Sequence, residues 1–273
     1  MATDPINRGI LREVANRPVE VGAEHEYRVT SGGREVLFVG FVAERWLQCG
    51  PRGPLNFHSP EAALSVLALA EGWTATVVHV LARGPHTFDE LHEAIGELSG
   101  KELRGHLAAL QSTGQVEVLA GEGGEPIYAA TDWLLAGIAA LIASARLERR
   151  EQREDTAPID ALDVEAGFRC SLGLVQLPRQ LTGTCSLGIR LEENESSSLT
   201  GVTVRVDQGS IVSCEAGLDP SANAWAAGTA GDWLDTVIEP DTQLVRSGGD
   251  KWLARALIDA IHETLFGITV APE

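Results

Sequence analysis

Between residues 59 and 150 the apolar positions recur at helical spacing in short stretches separated by sharp breaks. Ser59-Pro60-Glu61 has the form of a helix start: a hydroxyl cap, proline at the first helical position and an acid in the first turn. Leu64, Val66 and Leu67 are then expected to point into a core. A second helix is predicted through Trp73, Val77, Val78, Val80 and Leu81, stopped by Gly84-Pro85. Thr87-Phe88-Asp89-Glu90 is a capping box, backed by the apolar stripe Phe88, Leu91 and Ile95. After the turn Gly96-Glu97-Leu98, a second capping box, Ser99-Gly100-Lys101-Glu102, opens a helix carrying Leu103, Leu107 and Leu110, closed by Gly114. Val116-Glu117-Val118 and Ile127-Tyr128-Ala129 alternate like strands around a tip from Gly121 to Gly124. Thr131 caps a long helix bearing Leu134, Leu135, Ile138, Leu141, Ile142 and Ala145. Its end, with Arg146, Glu148, Arg149 and Arg150, reads as an exposed terminus, and the charged stretch beyond it, closed by Pro158, as a linker.

Two capped helices joined by a short turn and followed by a strand pair form the order of a winged helix-turn-helix, whose second hairpin helix enters a DNA major groove. Residues 1–58 partly repeat it: Val19-Glu20-Val21 mirrors Val116-Glu117-Val118, Tyr27 to Thr30 mirrors Tyr128 to Thr131, and each copy leads into an amphipathic helix, here with Val36, Leu37, Val39, Val42 and Trp46. Too few residues precede Val19 for two further helices, so this copy is a truncated half: either a decayed packing partner or the product of a start assigned too late. Residues 161–273 follow another grammar. A helix over 161–177 precedes strands over 183–191, 201–207 and 210–215, the last two a hairpin about Asp207-Gln208-Gly209. A short strand over 224–229, a helix over 232–238, a strand over 244–246 and a closing helix through Leu253, Leu257, Ile261 and Leu265 complete an α+β unit with antiparallel pairing. The expected class is mixed α+β, divided as 1–58 (partial repeat), 59–150 (winged helix-turn-helix), 151–160 (linker) and 161–273 (α+β domain).

Charge complicates this picture. The 273 residues carry a net charge of −18, distributed as 0 over residues 1–60, −6 over 61–150 and −12 over 151–273. A general nucleic-acid binder has the opposite sign, because Lys and Arg supply most non-specific affinity, so any DNA contact must come from a local patch. Lysine occurs only at Lys101 and Lys251, against 19 arginines, a usage that with abundant Ala and Gly fits a GC-rich bacterial genome. The four cysteines are far apart, with no CxxC pair, and read as buried thiols in a reducing cytosol. No apolar run is long enough for a membrane span, and the first residues lack the apolar core of a secretory signal, which places the expected protein in the cytoplasm.

The central segment resembles the HxlR-type winged-helix regulators of bacteria. The resemblance rests on Trp73, Thr74, Gly84, Pro85, Phe88 and Leu91, on the helix motif Ser99, Lys101, Leu103, Leu107, on Gly114 and Val116 leading into the wing, and on Tyr128 and Thr131 leaving it. It covers about 90 residues here and half a domain at the N-terminus. The C-terminal part is similar to the sterol-carrier-type domain often fused to such regulators, through the hairpin from Thr203 to Cys214, the helix start Gly231 to Leu234 and the lead Ser247 to Asp250. That likeness implies an apolar cavity, hence a small-molecule sensor or a dimerisation module.

Ser99, Lys101, Arg104 and His106 are the groove-facing candidates, opposite Leu103 and Leu107; Lys and Arg contact phosphate or a guanine edge, and Ser and His donate to either. The same residues also suit a solvated helix face. Related regulators carry an Arg where His106 stands, and basic wings where this chain has Glu117, Glu122 and Glu125. Arg83, His86 and Thr87 are candidates for backbone phosphates at the first hairpin helix, or plain surface. Trp225, Trp233 and Trp252 could line a ligand cavity or fill a core. The stripes over 36–46 and 134–145 would bury against each other or against a second subunit of a homodimer. The seven histidines show no HExxH or other metal spacing, and GxSxG, GxxxxGK[ST] and GxGxxG are all missing, so neither enzyme chemistry, nor a metal, nor a cofactor is expected. The expected function is a dimeric transcriptional regulator that reads double-stranded operator DNA, with a C-terminal domain that senses an apolar ligand or supports assembly. The alternative is a protein-interaction or ligand-carrier module whose winged helix no longer binds DNA.

Overall fold

A computed structural model describes residues 11–13, 27–121, 123–151, 161–193, 196–240 and 243–267, and it is of mixed helix and sheet. The expected strand at Val19 to Val21 lies outside them, as does nearly all of the linker. Strands β1 (Leu11–Glu13) and β2 (Tyr27–Val29) pair antiparallel, and Thr30 then caps α1 (Ser31–Gln48) by accepting from Gly33 N at 2.9 Å. Ser59 caps α2 (Pro60–Thr74) in the same way. α2 corrects the expectation for its apolar face: Leu64 and Leu67 are 59% and 52% exposed, and Val66 is exposed too. The buried side is Ala62, Ser65, Ala68, Leu69 and Gly72 instead. The cause is a close approach: a methyl on Gly72 would stand 3.1 Å from Leu110, and Gln115 donates to the carbonyl of Ser65 at 3.0 Å. Small residues at Ser65 and Gly72 let α2 lie close to the segment that carries Leu110 and Gln115.

The helix predicted from Trp73 to Leu81 is broken. α2 ends at Thr74, Thr76 takes a left-handed φ of 64°, and α3 (Val77–Leu81) restarts with every residue buried. β3 (His86–Thr87), α4 (Phe88–Ile95) and α5 (Gly100–Thr113) follow, with both predicted capping boxes formed and Gly114 ending α5 at φ 85°. β4 (Val116–Ala120) and β5 (Pro126–Ala130) make a hairpin that β3 joins, in the order β3-β5-β4. Thr131 then ties the hairpin to α6 (Asp132–Glu151): its hydroxyl accepts from Leu134 N and donates to carbonyls of Gly114 and Gln115.

α7 (Ala161–Leu172) is shorter than predicted. It precedes β6 (Gly183–Glu193), β7 (Ser196–Asp207), β8 (Ser210–Ala216), β9 (Ala224–Thr229), α8 (Ala230–Ile238), β10 (Arg246–Gly249) and α9 (Lys251–Phe266). The sheet order is β10-β9-β6-β7-β8. Its pairing is not all antiparallel as expected: β9 runs parallel to β6, because the chain leaves β8 at one edge and returns beyond β6 on the other side of the meander. The β7–β8 turn does fall at Gln208 and Gly209, both with positive φ.

α6 is the spine. On one side it packs on α1 and α2, and on the other it touches α7, α8 and α9, so one continuous core runs through the chain. The stripes of α1 and α6 do meet. The basic end of α6, expected to be exposed, is instead bound: Arg146 is buried and pairs with Glu35 of α1 at 3.0 Å and with Glu239 after α8 at 2.7 Å. Arg149 and Arg150 reach Asp235 and Glu35. Among the described residues no helix is long and apolar enough to cross a membrane.

The four thiols are free, but they are not all buried as expected: Cys170 and Cys185 are, Cys214 is half-buried and Cys49 is exposed. Burial pushes Cys170 and Cys185 up to about 12, and Cys214 to about 11, which starves them of thiolate. At neutral pH a thiol-specific chromogenic reagent is therefore expected to label Cys49 rapidly and Cys170 and Cys185 only after denaturation. Rapid labelling that persists in Cys49→Ser would contradict this burial.

Candidate functional site

The hairpin α4–α5 stands clear of the rest of the fold on one side, and the outward face of α5 is uncovered. Lys101, Arg104, Gly105, Ala108, Gln111 and Ser112 are exposed along it, opposite the buried Leu103, Leu107 and Leu110. Of the predicted contacts, Lys101 projects freely into this face. Arg104 lies across it, its guanidinium 4.6 Å above the Phe88 ring and donating to the carbonyl of Gly100 at 3.3 Å. Ser99 is committed to its cap: its hydroxyl accepts from Glu102 N at 3.3 Å, while its own N–H donates to the Glu102 carboxylate at 2.9 Å. His106 is half-buried at the flank. Gly105, Ala108, Gln111 and Ser112 were not singled out from the sequence, although the spacing of four, three and three from Lys101 to Gln111 through Gly105 and Ala108 marks them. Arg52, from the loop after α1, sits at the far end of this helix, donating to the carbonyl of Ser112 at 2.9 Å.

The second group of candidates does not join this face. Thr87 is used as the cap of α4, His86 lies 4.0 Å from Glu90, and Arg83 lines clefts toward α7 and β8 with Arg169. Two acids are held in the capping boxes of the hairpin helices. Hydrogen bonds from the Thr87 backbone and hydroxyl hold Glu90 below the usual carboxylate range, and those from the Ser99 hydroxyl and backbone do the same for Glu102. Both therefore stay charged as pH falls further than ordinary glutamates would. The β4–β5 hairpin adds exposed Glu117 and Glu125, together with exposed Val118 and Leu119; Glu122 lies outside the described residues.

A second feature lies at the junction of the two halves. Trp73 of α2 and the helices α6, α7, α8 and α9 enclose an apolar cavity of about 90 Å³. Trp233 lines it, edge-on to Phe168 at 4.8 Å and anchored by its indole N–H to the carbonyl of Gly188 at 2.8 Å. The other two predicted tryptophans do not line it. β9 alternates buried Ala224 and Ala226 with an outward Trp225, which covers Gly248, and Trp252 is exposed in the first turn of α9. Trp73 and Phe168, the aromatic walls supplied by other elements, were not identified from the sequence. At the rim, His79 Nε2 stands 3.6 Å from Asp163 and the His79 ring meets Trp73 at 4.1 Å. Asp232 completes the capping box of Thr229 at the start of α8, and Asp250 caps α9. Among the described residues no group of three or more His, Cys, Asp or Glu is placed to hold a metal ion. In comparisons with protein families, with curated proteins and with solved structures, nothing matches the chain.

Proposed function

We propose that this chain is a cytosolic, bacterial transcriptional regulator of the HxlR type, whose winged helix-turn-helix reads operator DNA through α5 and whose sterol-carrier-like C-terminal part senses an apolar ligand. The observation that carries the reading is the uncovered face of α5. Lys101 and Arg104 stand at its start, small Gly105 and Ala108 allow close approach, and Gln111 offers an amide for a base edge. A homodimer fits the same reading, since two half-sites need two recognition helices. Leu37 and Phe41 on α1, and Leu64 and Leu67 on α2, are exposed apolar residues open to contact with a second copy.

The test begins with genome-wide footprinting of the tagged protein, followed by low-salt gel shifts on the recovered fragments. Lys101→Ala combined with Arg104→Ala is expected to weaken binding at least ten-fold while leaving the circular dichroism spectrum unchanged. Equal binding by the double variant removes the groove model.

A second reading is favoured by one group of residues. Glu90, Glu102, Glu117 and Glu125 are exposed on the hairpin helices and the strand pair that follows, and β4 exposes Val118 and Leu119, which suit a protein partner better than phosphate. In that reading the module is an interaction or carrier domain, and footprinting recovers no enriched DNA.

A further inference from the structure

A separate cleft lies where the end of α3 meets the end of α7 and the strand β8, which is an edge strand of its sheet. After α7 the chain turns tightly, with the N–H groups of Gly173 and Leu174 donating to the carbonyls of Arg169 and Ser171. It then reaches the start of β8, where Leu177 N–H donates to the Gly209 carbonyl at 3.2 Å. Between this segment, β8 and the residues after α3 a cleft of about 510 Å³ stays open, within the roughly 300–1,000 Å³ of small-molecule sites. Leu172, Leu174, Val175, Ile211 and Val212 give it apolar walls.

Two of the described lining residues are charged, and both are arginines, Arg83 and Arg169, in a chain whose net charge is −18. Arg169 is built into the wall. Its side chain is 8% exposed, its Nε donates to Glu165 at 3.2 Å and its Nη1 donates to the Cys214 carbonyl at 2.9 Å. Those bonds fix the guanidinium and leave Nη2 without a partner among the described residues. Arg83 is exposed on the turn between α3 and β3, and its guanidinium has no partner among the described residues. Glu165 balances one of the two guanidiniums, so one positive charge is left over at the cleft.

We propose that this cleft binds a small organic monocarboxylate, with the carboxylate between Arg83 and Nη2 of Arg169 and an apolar body along Leu174, Ile211 and Val212. A guanidinium donates to a carboxylate through charge-assisted bonds, and one that is already held in place loses little freedom in doing so. A single unbalanced positive charge matches a carboxylate better than a doubly charged phosphate, and it repels an amine of the same shape. Because Arg83 stands just before the hairpin and β8 belongs to the C-terminal sheet, the ligand bridges the two halves of the chain.

The site is distinct from the α5 face and from the apolar cavity, and its test needs no DNA. Hexanoate, hexanol, hexylammonium and hexyl phosphate are titrated into the full chain by calorimetry. Hexanoate is expected to saturate at one site per chain and to bind about ten-fold or more tightly than hexanol and hexylammonium, and no less tightly than hexyl phosphate. Arg83→Ala should weaken hexanoate about ten-fold, Arg83→Glu should abolish its binding, and Arg83→Lys should keep it within about five-fold of the unchanged chain. Because Arg83 is exposed and unpaired among the described residues, all three variants should keep the thermal midpoint of the unchanged chain. No saturable binding of hexanoate, equal binding of hexanol or hexylammonium, tighter binding of hexyl phosphate, or binding that survives Arg83→Glu each overturns the proposal. A chain that binds hexanoate but no DNA keeps this cleft and loses the regulator; one that binds DNA but not hexanoate does the reverse.

Discussion

Trp46→Ala is expected to lower the stability of the chain by about 4 kcal/mol, near the upper end of single-residue effects, because it removes a large aromatic from a site that cannot collapse. Trp46 and Trp133 stack with ring centroids 4.9 Å apart and planes 19° from parallel. Each indole N–H also donates to the other residue's carbonyl, at 2.7 Å from Trp46 and 2.9 Å from Trp133. Two helices 87 residues apart in sequence are thereby joined by a reciprocal clasp of stacking and hydrogen bonds. The site is tight as well: a methyl on Gly137 would lie 2.8 Å from Leu69 and 3.0 Å from Trp46, so neighbouring side chains have little room to shift into the void. Trp46→Phe keeps most of the stacking and loses one hydrogen bond, for an expected cost of about 1–2 kcal/mol. Urea unfolding followed by circular dichroism checks both. A loss below about 1 kcal/mol for the alanine variant would show that α1 does not depend on this clasp.

The sequence made the hairpin legible because its signals are local. A capping box needs only a hydroxyl and a carboxylate three residues apart, and both predicted boxes, at Thr87 and Ser99, form with their reciprocal bonds. Gly114 ends α5, and the strands beginning at Val116 and Pro126 pair as expected. What failed depended on partners distant in sequence. The stretch from Leu64 to Ala70 is apolar except for Ser65, so periodicity could not choose between its faces; the close approach of Leu110 to Gly72 favoured the side that carries Ser65 and Ala68. Direction in a sheet is equally invisible locally, and β9 pairs parallel to β6 only because of the path taken after β8. Among the candidate site residues, Lys101 and Arg104 were readable from helix phase. Arg83 was not, because its neighbours come from α7 and β8. The cavity escaped for the same reason: its walls come from α2, α6, α7, α8 and α9, and of the three tryptophans the sequence offered only Trp233 lines it.

Arg146→Met is expected to cost about 2–3 kcal/mol, less than the about 3–5 kcal/mol typical of breaking a fully buried pair, and the difference follows from its partners. The Arg146 side chain is 4% exposed and Glu35 is 15% exposed, but Glu239 is 66% exposed and is readily resolvated. Glu35 also keeps Arg150, at 2.6 Å, when Arg146 is removed. What is lost is one guanidinium that reaches both carboxylates, tying α1 and the end of α8 to α6, with its head 5.5 Å from the centre of the Phe38 ring. Methionine replaces much of the stem but leaves Glu35 partly stranded in a dry site. Arg146→Lys is expected to recover less than half of the loss, because a single ammonium cannot span both carboxylates with the guanidinium's planar fork. Arg146→Met with Glu35→Gln should recover part of it by removing the stranded charge, which separates an electrostatic cause from lost packing. Urea midpoints for the four chains settle the matter: an unchanged midpoint for Arg146→Met would mean that the two halves are held by α6 packing alone.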